Sequence, residues 1–183
     1  MLNSENIKLV RPLKWEEVFS FWYQNEGDKE NWINLAKERG FASWADWRLT
    51  GYAIPFECAK AGWGLYEISN PLQVVPQFYG GPFRGWTENY YGGAKEKTFK
   101  ELAVLPEIIN HSFIQRAKND FPVDKIITCL EVGGKVYTVE GMHRCCTLAI
   151  MAQENNNFNK ILLFAIGESP LKELPLIGRN DKK

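Results

Sequence analysis

Net charge is what this sequence lacks first: 22 Lys and Arg are offset by 22 Asp and Glu over 183 residues. There is no basic run either, which argues against the many phosphate contacts behind tight nonspecific nucleic-acid binding. Histidine is scarce, with two residues, and the four cysteines (Cys58, Cys129, Cys145, Cys146) contain no Cys-x-x-Cys pair. That pattern does not make a zinc site. Adjacent Cys145 and Cys146 do not suggest a disulfide staple, so reduced thiols and a cytoplasmic protein are expected. No apolar stretch reaches membrane-spanning length. The first six residues show no basic region followed by an apolar run, so no leader is expected. Internal repeats are absent, and low complexity is confined to residues 155–157.

What is present is enough apolar residue, 45% of the chain, to bury a core. Length points to one domain with an extension: residues 1–65 as a Trp-rich helical cap, 66–175 as the main domain and 176–183 as a tail. In the cap, Trp15, Val18, Phe19 and Trp22 recur at helical spacing. A second helix is expected over 31–39, stopped by Gly40, and a third over 44–49, capped by Ser43. Trp32, Trp44 and Trp47 read as core anchors. A base-stacking platform is disfavoured because basic residues are not interleaved with them in sequence.

In the main domain, strands are expected over 64–69 and 72–76. An irregular loop rich in glycine and aromatics, 77–86, carries Arg84. It either closes over a ligand, with Arg84 on a phosphate, or is pinned to the cap by its aromatics. Thr98 and Glu101 form a capping-box pattern. Pro106 opens a helix running to 118, with His111 on its flank as a boundary residue. Strands over 126–131 and 135–140 flank Gly133-Gly134, a hairpin signal. A buried helix over 142–154, a strand over 160–166 and a short helix starting at Ser169-Pro170 complete the chain.

The densest chemistry lies at Glu140-Gly141-Met142-His143-Arg144, where a strand turns through glycine into that apolar helix. A cation at a helix N-terminus opposes the macrodipole at about 0.3–1 kcal/mol. An anion on the free N–H groups reverses the sign; the alternative is that Arg144 pairs with Glu140.

Gly-x-His-Arg between a hairpin and a buried helix resembles the signature of the ParB/sulfiredoxin superfamily. The run 99–103, the segment 121–123 and the strand over 161–166 follow that family's order of elements across about residues 66–170. The resemblance implies an α+β fold, a small mixed sheet with packed helices, and a phosphate pocket at the turn. The family includes a CTP-binding segregation protein, sulfiredoxins, nuclease-like members and a serine kinase. Met142 stands where sulfiredoxins carry their nucleophilic cysteine, so sulfiredoxin chemistry is not expected. Nor does a helix-turn-helix segment follow the closing strand, which does not support a segregation role.

The expectation is therefore a protein that binds a nucleotide or another phosphate-bearing small molecule, as a possible phosphotransferase or nucleotide hydrolase. Gly141, Met142, His143, Arg144 and Arg84 bind phosphate, His143 and Glu140 carry proton transfer, and Glu140 is a candidate ligand for Mg²⁺ arriving with the nucleotide. The alternatives are a nucleic-acid-binding or nuclease-like protein, less favoured by the neutral charge, and a non-catalytic interaction protein.

Overall fold

A computed structural model describes residues 5–178. The fold is α+β: a six-stranded mixed sheet in the order β1-β2-β6-β4-β5-β3, with helices packed on it. The strands are β1 (Ile7–Pro12), β2 (Gly62–Ile68), β3 (Tyr79–Gly80), β4 (Ile127–Val132), β5 (Lys135–Glu140) and β6 (Leu162–Glu168). Pairs β1/β2, β2/β6 and β4/β5 are antiparallel; β4/β6 and β3/β5 are parallel. The β4–β5 hairpin turns at Gly133 and Gly134, both with φ > 0, as the Gly-Gly pair predicts.

The first 65 residues are not a helical cap set ahead of the sheet. An edge strand, β1, precedes the helices, and α1 (Trp15–Trp22), α2 (Glu30–Glu38) and α3 (Trp44–Arg48) are inserted between β1 and its partner β2. Pattern could not find β1 because only Ile7 is buried in it. An edge strand with one buried residue shows no alternation to read. The insertion's aromatic residues behave as expected in part. Trp44 and Trp47 are buried at 3% and 2% exposure, whereas Trp32 is only half-buried. Ser43 caps α3 by accepting from the Asp46 N–H at 3.0 Å.

Residues 72–76 are not a strand. Pro71 opens a short helix, α4 (Pro71–Val74), which continues as a 3₁₀ turn through Gln77. Pro76 has no N–H to give to a sheet ladder, while proline suits a first helical turn. The 77–86 segment is ordered as β3 followed by α5 (Arg84–Tyr90). Phe83 pins it to the insertion, with its ring 5.6 Å from Tyr52 and 6.1 Å from Phe56. Gly81 is required there, since a Cβ would lie 2.5 Å from the Thr138 carbonyl oxygen.

The Thr98–Glu101 capping box opens α6 (Phe99–Leu102), as expected. The helix expected from Pro106 to residue 118 is instead two, α7 (Pro106–Ile109) and α8 (Ser112–Asn119). The break is made by His111, whose Nδ1 accepts from the Phe113 N–H at 3.3 Å and so caps α8. Helix α9 (Met142–Gln153) has nine of its residues buried and packs against β5, α4, α6 and α8. No helix forms at Ser169-Pro170. Ile177, inside the expected tail, is buried, and its backbone pairs with Pro82 and Arg84. Residues 1–4, where part of the leader expectation falls, and residues 179–183 of the expected tail lie outside the described residues.

Candidate functional site

The turn from β5 into α9 is built on Gly141, whose φ of 100° is left-handed. A Cβ there would meet Ile127 at 3.1 Å and the Arg144 guanidinium at 3.0 Å. Glycine therefore permits both the turn and the close return of Arg144 beneath it. Arg144 does not extend into solvent from the helix start. Its Nη2 donates to Glu140 Oε2 at 2.5 Å and its Nη1 to the Lys125 carbonyl at 2.7 Å. Asn25, from the far end of the sequence, donates to the same Glu140 oxygen at 2.8 Å and to the Ile126 carbonyl at 2.9 Å. Both side chains of the pair are buried, at 6% and 11% exposure. Burial raises the Glu140 carboxyl above its ordinary 4.5, with Arg144 pulling the other way. Of the two arrangements the sequence left open for Arg144, the geometry is the ion pair.

With its guanidinium folded back, Arg144 leaves the helix end bare. The N–H groups of Met142, His143 and Arg144 have no acceptor among the described residues. Met142 is turned inward, its sulfur accepting from the Gly81 N–H at 3.3 Å. His143 sits half-buried in a pile of rings: 4.3 Å from His111 at 21°, 5.1 Å from Trp86 and 5.9 Å from Phe113. Both histidines of the chain are thus stacked together. Burial first, and His111 second, press the His143 pKa down to about 4, so the imidazole is neutral at pH 7. His111 is a residue that sequence reasoning set aside as a boundary position. Its only local signal is the break it makes in the helix.

These residues line a cleft of about 890 Å³ between the helical insertion and the α5, α8 and α9 side of the fold. Glu26 and Asn25 enter it from a single π-helical turn, Tyr23–Gly27, that extends α1. The carboxylates on its walls are Glu26 and Glu140, and each is held by an arginine: Glu26 by Arg48, and Glu140 by Arg144. Arg48 is stacked among aromatics, with its guanidinium carbon 4.3 Å from the Trp47 ring, 4.5 Å from Tyr52 and 5.0 Å from Trp32. Lys29, Arg39, Arg84, Arg116 and Lys125 also line the cleft. Among the described residues, only Lys125 of these reaches a carboxylate, the exposed Asp124 at 3.9 Å. A chain of zero net charge therefore presents a strongly positive cleft. Arginine and aromatic residues do interleave, through folding rather than through sequence, which removes the reason for setting a stacking surface aside.

The donor set does not suit a protein-held Mg²⁺. A hard divalent ion needs carboxylate oxygens, and here Glu140 Oε2 already takes Arg144 and Asn25 while Glu26 takes Arg48 and Trp44. Among the described residues no cluster of three His, Cys, Asp or Glu side chains is placed to hold a metal. No helix among them is long and apolar enough to cross a membrane. Comparison with family models, with curated proteins and with solved structures finds no match to this chain.

Proposed function

We propose that the cleft binds a phosphate-bearing ligand of nucleotide type, on a fold of the ParB/sulfiredoxin kind. One observation carries this reading. Lys29, Arg39, Arg84 and Arg116 line the cleft with no carboxylate partner among the described residues, in a protein that otherwise balances its charges. Like charges gathered around one cavity repel one another, and an anion in that cavity converts the repulsion into attraction. The bare N–H groups at the start of α9 support the same reading. Arg84 is the sequence-nominated residue best placed to contact phosphate, because it is exposed in the cleft, whereas Arg144 acts from behind by holding Glu140 and the turn.

Two charge-assisted hydrogen bonds contribute roughly 3–6 kcal/mol before binding costs. That corresponds to millimolar to tens-of-micromolar affinity at best, so phosphate alone is a weak ligand. The rings of Trp86, Trp32, Tyr52 and Phe113, all half-buried on the cleft wall, supply the remaining contact to a planar base. Neutral His143 is the proton acceptor of the site if the ligand is turned over; Glu140 would first have to release a guanidinium. The four cysteines are free and buried, which fits a cytoplasmic protein.

The test is a thermal-shift titration with inorganic phosphate and with nucleoside mono-, di- and triphosphates, with and without Mg²⁺. A ligand at 100 times its Kd stabilises by about 2.7 kcal/mol, or roughly 5–10 °C for a chain of this size. Arg84→Ala with Arg116→Ala should remove the shift. If no phosphate-bearing compound raises the midpoint, the reading fails.

A further inference from the structure

We infer that the ligand class is a short single-stranded nucleic acid rather than a lone nucleotide, and that the helical insertion between β1 and β2 forms half of its site. The inference rests on the phosphate-binding reading of the cleft and extends it. Its starting point is where the unpaired cations lie. Lys29 immediately precedes α2 and Arg39 immediately follows it. Ten residues at 1.5 Å rise put their backbones about 15 Å apart. Arg84 opens α5 and Arg116 lies in α8, on the other side of the cleft lining. Arg39 is held over the Trp47 ring at 5.0 Å, which limits its freedom to swing toward the other cations. One phosphate cannot satisfy charges set this far apart; a backbone carrying several phosphates can.

The second observation is the placement of the rings. Trp32 and Tyr52 come from the insertion, Trp86 and Phe113 from α5 and α8, and all are half-buried on the cleft wall. Aromatic faces between cations are the composition of single-strand grooves, in which bases stack and the backbone follows the charge. The side-chain amides in the described lining are Asn31 and Asn25, and the Asn25 amide already donates to Glu140 and the Ile126 carbonyl, so recognition is by stacking and charge, without strong sequence preference. The cleft volume of about 890 Å³ lies at the upper end of small-molecule sites, which leaves room for more than one nucleotide.

The experiment is fluorescence anisotropy with labelled oligothymidylates of one to ten nucleotides, competed with dTMP and with inorganic polyphosphate. Affinity should rise by about tenfold for each base that gains a stacking partner, then level off within a few nucleotides. At the plateau, log K should fall with log salt at a slope of about −3, the value for four phosphates on a single strand at about −0.7 each. Lys29→Ala with Arg39→Gln should reduce that slope by about 1.4, two phosphate contacts at about 0.7 each. Lys29→Ala alone, at an exposed position, should reduce it by about 0.7 and serves if the double variant loses its thermal midpoint. Three results overturn the inference: a hexamer that binds no tighter than dTMP, a salt slope insensitive to Lys29 and Arg39, or polyphosphate binding as tightly as the oligomer. In each of these the phosphate-binding reading of the cleft survives, because a phosphate-bearing compound still binds. If no phosphate compound binds at all, both readings fall together.

Discussion

Arg144→Ala separates a structural arginine from a ligand-binding one. The guanidinium is 6% exposed and carries the buried Glu140 carboxylate at 2.5 Å and the Lys125 carbonyl at 2.7 Å. Its removal leaves Glu140 with Asn25 as its remaining hydrogen-bond donor. The carboxylate then has two options: stay ionised in a dry site, or take up a proton. The second limits the cost. Protonating a carboxyl of ordinary pKa 4.5 at pH 7 costs about 3.4 kcal/mol, at about 1.36 kcal/mol per pH unit. The abandoned carbonyl adds about 1 kcal/mol, so the total is about 4 kcal/mol, within the 3–5 kcal/mol typical of a broken buried pair. The pH dependence gives the reasoning its signature. In the variant the folded-state Glu140 pKa lies above its unfolded value, so the folded state binds the extra proton and stability falls as pH rises through that window. At pH 5 the ionic part shrinks to about 0.7 kcal/mol by the same arithmetic. Urea unfolding of wild type and variant at pH 7 and pH 5 measures both numbers. Glu140→Gln in the same background should recover part of the loss, as coupled neighbours do. A variant within about 1 kcal/mol of wild type at pH 7, or one whose deficit is equal at both pH values, would refute the pair as the role of Arg144.

Three other outcomes follow from the geometry. Trp47→Ala should destabilise by about 3–5 kcal/mol, since this 2%-exposed ring supports Phe41, Trp32, Tyr52 and Arg48; retention of full stability in chemical denaturation would make it a surface residue instead. Cys145 and Cys146 are fully buried, and burial pushes the Cys145 thiol up to about 12, so native-state labelling by a thiol reagent should be slow and should speed up sharply in denaturant; fast stoichiometric labelling would contradict their packing. His143 has a folded pKa of about 4 against 6.5 unfolded, so the unfolded chain binds the extra proton between those values and stability should decline as pH falls from about 6.5 to 4, by about 2–3 kcal/mol in all. His143→Phe should flatten that slope, and an unchanged slope in pH-dependent melting would show that the imidazole is not held neutral.

Local chemistry in the sequence determined much of the molecule. The Gly133-Gly134 hairpin, the Ser43 cap, the Thr98–Glu101 capping box and the buried helix after Gly141 were legible because each depends on residues within a few positions of one another. Strand β1 was not legible, nor was the division of the helix after Pro106 or the helical turn at Pro71. An edge strand has little to bury, and one capping histidine outweighs an otherwise helical pattern. The site divides in the same way. Glu140, Gly141, His143 and Arg144 stand together in the chain, and their proximity at one turn needed no structure. Tertiary packing alone decided what they do, because Asn25 reaches Glu140 across 115 residues, His111 stacks on His143, and cations from the ends of α2, from α5, from α8 and from the loop at Lys125 converge on one cleft. Composition reports a sum of charges, which is zero here. Coulomb energy depends on where each charge sits, and only the folded chain places the positive ones together.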